Sequence, residues 1–91
     1  MDIEDISFAI TCRTCRTLLG WSQKELAERA EMAMASVNRL ERGSNPSMNT
    51  VRKIVRLFRD AGLEVLQDQP RGGFTLVVSP DVIARQVDSF K

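Results

Sequence analysis

Between Ser22 and Gly43 the chain reads SQKELAERAEMAMASVNRLERG, two short helical patterns with only a tight turn between them. In the first, Leu26, Ala27 and Ala30 recur at helical spacing while Lys24, Glu25, Glu28 and Arg29 fall on the wet side, which makes a short amphipathic helix. Ser22 and Glu25 form an S-x-x-E capping box, in which hydroxyl and carboxylate satisfy each other's backbone donors, so the helix begins near Gln23. In the second, Val37 and Leu40 form a new apolar stripe and Gly43 supplies the positive φ that ends a helix running from about Met34 to Arg42. Helices packed at about 90 to 120 degrees through a tight turn need close backbones, which the small side chain of Ala27 permits, with Met32 and Val37 filling the angle. The pattern fits a helical hairpin in a small bundle, and equally a helix-turn-helix that presents its second helix to DNA.

Ninety-one residues with 43% hydrophobic content suit one domain with a modest core, without disulfides or metal. No apolar run approaches the roughly 18 to 20 residues of a membrane span, and the acidic start, Met1 to Asp5, has the wrong sign for a signal peptide, so a cytoplasmic protein with no membrane partner is expected. Net charge is only +1, but it is unevenly spread. Residues 1–5 carry three acids, residues 6–62 ten Lys or Arg against five Asp or Glu, and residues 63–91 three against four. Arg39, Arg42, Arg52, Lys53, Arg56 and Arg59 are opposed only by Glu41 and Asp60 across the second helix of the motif and the helix after it. Such a surface can neutralise phosphates; Arg52, Lys53, Arg56 and Arg59 also read simply as the solvated face of an amphipathic helix.

The rest of the chain divides cleanly. Ile6, Ile10, Leu18 and Leu19, with Arg13 and Arg16 between them, predict a first helix capped by Ser7 and closed by Gly20. After Gly43, Ser44-Asn45-Pro46-Ser47 is a loop whose last residue caps a helix carrying Met48, Val51, Ile54, Val55 and Phe58 on one face, ending at Ala61 and Gly62. Residues 1–62 therefore read as a helical domain. Beyond Gly62 the period changes: Leu63 to Gln67 and Phe74 to Val78 flank the turn-forming Asp68-Gln69-Pro70-Arg71-Gly72-Gly73, a β-hairpin in which Phe74, Leu76 and Val78 share one face. A lone two-stranded ribbon is marginal in water, so it either packs on the helices or pairs with a second chain. Ser79, Pro80 and Asp81 start a last helix that Val82, Ile83, Val87 and Phe90 are expected to dock, making residues 63–91 a dimerisation or partner-binding extension of the same domain.

LLGWSQKELAERAEMAMASVNRLERGSNPS resembles the helix-turn-helix of the Xre, or lambda-repressor-like, regulators of bacteria and phages, over roughly Cys12 to Leu66. The continuation AGLEVLQDQPRGGFTLVVS is similar to a hairpin that follows the fourth helix in some small bacterial members. The expected fold is thus mainly α, a lambda-repressor-like bundle of four to five helices with a C-terminal β-hairpin. By resemblance, the second helix of the motif lies in the major groove with Met34, Ala35, Asn38 and Arg39 toward base edges. A guanidinium pairs bidentately with guanine O6 and N7, which makes Arg39 the leading reader, while Asn38 suits adenine or the backbone. Gln23 stands at the family's phosphate clamp, at a helix N-terminus that attracts an anion; Ser36, Arg42, Asn45 and Ser47 are further DNA-backbone candidates, Ser36 also suiting a base. Glu41 stands where the family has an acid that pairs with an arginine of the first helix, here Arg16. Two positions depart from the pattern. Glu31 occupies a turn position that is often glycine, which predicts an altered turn, and Ala33 lacks the oxygen that would cap the recognition helix.

The remaining residues carry mostly structural readings. Trp21 suits core packing at a helix corner better than base stacking. Cys12 and Cys15 form a C-x-x-C pattern, but with no histidine and no second cysteine pair they fit small apolar groups on one helix face better than a metal or redox site. There is no nucleophile motif and no phosphate-cradling glycine loop, so neither an enzyme nor a cofactor is expected. Function is therefore expected to be sequence-specific DNA binding by a transcriptional regulator, a repressor acting as a homodimer on a palindromic double-stranded operator. The dimer contact falls to the hairpin, the last helix, or the stretch Asn45 to Met48. The alternative is an antitoxin that regulates its own operon and binds a toxin protein through the C-terminal segment.

Overall fold

The computed structural model describes residues 3–68 and 73–90. Their order is α1 (Ile3–Leu19), α2 (Gln23–Arg29), α3 (Met34–Glu41), α4 (Met48–Asp60), β1 (Leu63–Asp68), β2 (Gly73–Val78) and α5 (Pro80–Arg85), followed by a 3-10 turn over Val87–Phe90. The architecture is a mainly helical bundle with a C-terminal two-stranded antiparallel hairpin, as the sequence leads one to expect. The tip of the expected hairpin turn, residues 69–72, lies outside the described residues.

Caps explain most of the boundaries. Ser22 accepts from the amide of Glu25 at 3.1 Å and completes the capping box of α2; Ser47 and Ser79 cap α4 and α5 in the same way. Helices α1, α2 and α3 all end in the same paired-bond closure, with Trp21 N–H on Arg16 C=O, Met32 N–H on Ala27 C=O and Ser44 N–H on Arg39 C=O. The left-handed residue in each is Gly20, Glu31 and Gly43. Glu31 holds a φ of 54°, so the turn expected to be altered keeps its left-handed form and a glutamate carries it.

The core is built where α1, α2, α3 and α4 converge. Phe58, Leu26, Ile54, Leu63 and Val37 are fully buried, with Ala27 at the close approach of α2 to α3 and Met32 partly buried beside them. Strand pairing sets Leu63 against Val78 and Val65 against Leu76, so these four and Phe74 form the inner face of the hairpin. β1 lies on α4 and β2 on α1, which gives the ribbon the apolar support it needs. At Gly62 the chain turns with a φ of 104°, and a Cβ there would meet the Ser79 hydroxyl at 2.6 Å and Val82 at 2.8 Å.

Several expectations are corrected. Ser7 does not cap α1, which starts four residues earlier; its carbonyl instead accepts from the Thr11 hydroxyl inside the helix at 2.8 Å. The buried face of α1, turned toward α3 and β2, is Phe8, Ala9, Thr11, Cys12 and Cys15, whereas Ile6 and Ile10 are exposed. Met48 is exposed at the first turn of α4, beyond the reach of the core. At the C-terminus Val82 is buried, but Ile83, Val87 and Phe90 are exposed: α5 is only six residues long and turns one of its apolar side chains into the core.

Candidate nucleic-acid interface

α2 and α3 are held by what lies beneath them. Glu41, at the last turn of α3, has a side chain only 4% exposed and would be costly to bury alone. Arg16 of α1 meets it with a two-pronged contact, Nε to Oε2 at 2.8 Å and Nη2 to Oε1 at 2.9 Å, and donates a third bond to the Trp21 carbonyl at 3.0 Å. The hydrogen bond to Glu41 raises the pKa of Arg16. Arg13, one turn earlier on α1, donates to the backbone carbonyl of Glu41.

The network continues outward to the surface. Gln23 donates from Nε2 to Glu41 Oε1 at 3.2 Å, and its Oε1 accepts from Asn38 Nδ2 at 3.4 Å. Gln23 at the amino end of α2 and Asn38 on α3 are therefore joined to each other and to the buried ion pair. Both are half-buried, and the chain Arg16, Glu41, Gln23, Asn38 fixes their amide groups before any ligand arrives. No periodicity or spacing in the sequence announced this relay; the one signal was the clustering of two amides and an acid in the two helices of the motif.

Met34, Ala35 and Arg39 are exposed on the first two turns of α3, and Ser36 is half-buried and accepts from Arg39 Nη2 at 3.3 Å. Arg39 is thus drawn along its own helix by one weak contact. Ala33 starts α3 with extended backbone and no side-chain cap, and its carbonyl accepts from the Ser36 and Val37 amides at 3.0 and 3.3 Å. Arg42, Asn45 and Ser47 are exposed, although the Ser47 hydroxyl is committed to Thr50 as the cap of α4. The structure thus brings Gln23, Asn38, Arg16 and Glu41 into one bonded set and leaves Met34, Ala35, Arg39, Arg42 and Asn45 open.

Trp21 packs against Phe58 with ring centroids 6.2 Å apart, and Arg29 lies over its ring at 4.4 Å. Cys12 and Cys15 are free thiols in the core; burial pushes Cys12 up to about 12 and Cys15 to about 11, so both stay protonated. No cluster of three metal-ligating side chains occurs among the described residues, and no helix among them is long and apolar enough to cross a membrane.

A capped short helix, a left-handed tight turn and a second helix with exposed first turns define a helix-turn-helix DNA-binding domain. A family model described as helix-turn-helix matches residues 13–64, more than half of the chain, and the chain belongs to that family, the Xre or lambda-repressor-like type. It is a family of DNA-binding transcription regulators and not of enzymes. A search of curated proteins found no match.

Proposed function

We propose that the protein is a sequence-specific transcriptional repressor that binds a palindromic operator as a homodimer, with α3 in the major groove. The observation that carries this reading is the relay from the buried Arg16–Glu41 pair through Gln23 to Asn38, which preorganises polar groups at the surface beside the exposed Arg39. Gln23 holds a DNA phosphate at the amino end of α2, where the helix dipole and free amides add to its own donor. Arg39 reads a guanine, Asn38 contacts an adenine or the backbone, and Met34 and Ala35 offer apolar contact to a thymine methyl. Ser36, Arg42, Asn45 and Ser47 position the protein on the sugar-phosphate backbone. With so few polar readers, part of the specificity comes from DNA shape.

Two-fold symmetry would place the two α3 helices about 34 Å apart, in successive major grooves. The outer face of the hairpin supports such a dimer: Leu66 and Val77 are exposed there, and a two-stranded ribbon leaves both edges unpaired among the described residues. Selection of bound sequences from a random duplex pool at fixed salt tests the reading. A two-fold symmetric consensus is expected. Arg39→Ala should lose preference at one base pair per half-site, at a cost of about 1 to 3 kcal/mol, while Gln23→Ala weakens all sequences and changes preference at most at the position Asn38 faces. An unchanged consensus with Arg39→Ala would remove Arg39 as a reader.

An antitoxin role is the second reading, and the exposed Ile83, Val87 and Phe90 favour it, since these apolar groups lie on the 3-10 turn and the solvent side of α5. A stoichiometric complex with the product of an adjacent toxin-like gene, lost on truncation after Pro80, would establish it.

A further inference from the structure

A second surface carries a partner of different chemistry. On α4, Arg52, Lys53, Arg56 and Asp60 share a stripe spaced three, four and seven or eight residues apart, and α2 adds Arg29 from its last turn. Between the two helices lies a groove of about 420 Å³ lined by these side chains and floored in part by the half-buried Leu57. Four cations therefore converge on a concave surface with Asp60 as its one carboxylate. None of them is ion-paired among the described residues, where the Arg16–Glu41 contact is the only salt bridge. Arg29 is anchored by its position over the Trp21 ring, so the α2 wall of the groove is fixed.

The groove is lined by none of the residues proposed above to touch DNA. No residue of α3 lines it, and neither does Gln23. Six residues separate Gln23 from Arg29 on α2, which turns them about 120° apart around the axis and about 9 Å apart along it. Duplex DNA also makes poor use of such a floor, because a phosphate backbone offers nothing to the apolar surface of Leu57. An extended polypeptide that alternates carboxylates with apolar side chains uses both, in the manner of arginine-cluster recognition of acidic motifs.

We propose that the groove between α2 and α4 docks an acidic segment of a second protein. The proposal goes beyond DNA binding and does not depend on it: its charge and shape arguments hold whether or not α3 reads bases. It gives a regulator of this kind a face for a protein partner while α3 is occupied.

The test uses the full chain at about 0.15 M ionic strength. The probe is a fluorescein-labelled peptide of repeated Glu-Leu-Asp triplets, with a Gln-Leu-Asn counterpart as control, and fluorescence anisotropy reads binding with and without a saturating DNA duplex. The acidic peptide should bind saturably to the free and DNA-bound protein, and the control should not. Arg52→Gln/Lys53→Gln/Arg56→Gln should weaken the peptide by at least about tenfold and leave duplex affinity within about threefold. These side chains are exposed, so the variant should keep its thermal midpoint; should it not, Lys53→Gln alone is expected to weaken the peptide by about threefold. Absence of saturable binding, or equal binding by the triple variant, overturns the proposal. So does a fall of about three in the salt slope of duplex binding for that variant, since the groove would then be part of the DNA contact.

Discussion

At the scale of single residues, the centre of the molecule is one buried carboxylate. Glu41 is stabilised by two bonds from Arg16 and one from Gln23, and Arg16→Ala leaves only the Gln23 donor to an otherwise uncompensated buried charge. The expected loss is about 3 to 5 kcal/mol of unfolding free energy, read from urea denaturation, and unchanged stability would remove the pair from this account. Gln23 keeps its bonds to Glu41 and Asn38 in that variant, so the loss falls on the buried carboxylate itself. The pair itself was legible, though only through resemblance: no rule of spacing joins residues 25 positions apart on different helices. The extension to Asn38 was not, since an amide's partner depends on side-chain rotamers that a sequence does not display. The cysteines give a second prediction at this scale. Burial holds Cys12 near 12 and Cys15 near 11, against 9.0 for an ordinary thiol, so between these values the folded state keeps protons that the unfolded chain releases. Their contribution is full below about pH 9 and is lost as pH rises through 11 and 12. Urea midpoints should therefore fall across the alkaline range, and less steeply in Cys12→Ala/Cys15→Ala. Identical slopes in the two proteins would show that the thiols do not titrate with unfolding.

At the scale of elements, the boundaries are written in local chemistry. Ser22, Ser47 and Ser79 cap where their sequence contexts place caps, and Gly20, Gly43 and Gly62 close helices where a positive φ is needed. α3 is the exception at both sides of its entry. Glu31 sits at a φ of 54° in a closure that glycine makes in α1 and α3, and Ala33 adopts the extended backbone of a capping residue without an oxygen to use. Each is a local cost at the start of the motif's second helix. Ala33→Ser should stabilise the protein by about 1 kcal/mol, and Glu31→Gly by about 1 kcal/mol through relief of the left-handed strain. Thermal melts check both, and because the sites are two residues apart the double variant tests whether the gains add. A drop in midpoint for Ala33→Ser would mean that the first turn of α3 is held by something other than a cap. What the local signals did not convey was the rotation of α1. Its isoleucines indicated a helix without indicating which side is buried; that side carries Phe8 and Ala9 with Cys12 and Cys15, the cysteines fitting the small apolar groups they were read as.

At the scale of the whole molecule, the apolar residues divide into two populations. Phe58, Leu26, Ile54 and Leu63 close a single core shared by the helices and the inner face of the hairpin, while Leu66 and Val77 remain on its outer face. Alternation along β1 and β2 made the inner face readable; the outer face is too apolar for a strand that meets only water, and the sequence could not say which chain covers it. A dimer through this face would convert two weak half-site contacts into one strong one, since the second α3 then binds at an effective concentration set by the first. Leu66→Lys/Val77→Lys tests that coupling without disturbing the monomer. Position 77 lies directly opposite Glu64 and position 66 opposite Thr75, so neither new lysine has a like charge directly opposite it, and the buried side of the ribbon is untouched. The variant should sediment as a monomer at concentrations where the parent is dimeric. Its affinity for a palindromic duplex should fall by about a hundredfold or more, while affinity for a single half-site, which needs one protomer only, stays close to that of the parent. A parent that sediments as a monomer at every concentration that gives DNA binding would place the two-fold symmetry elsewhere than in this hairpin.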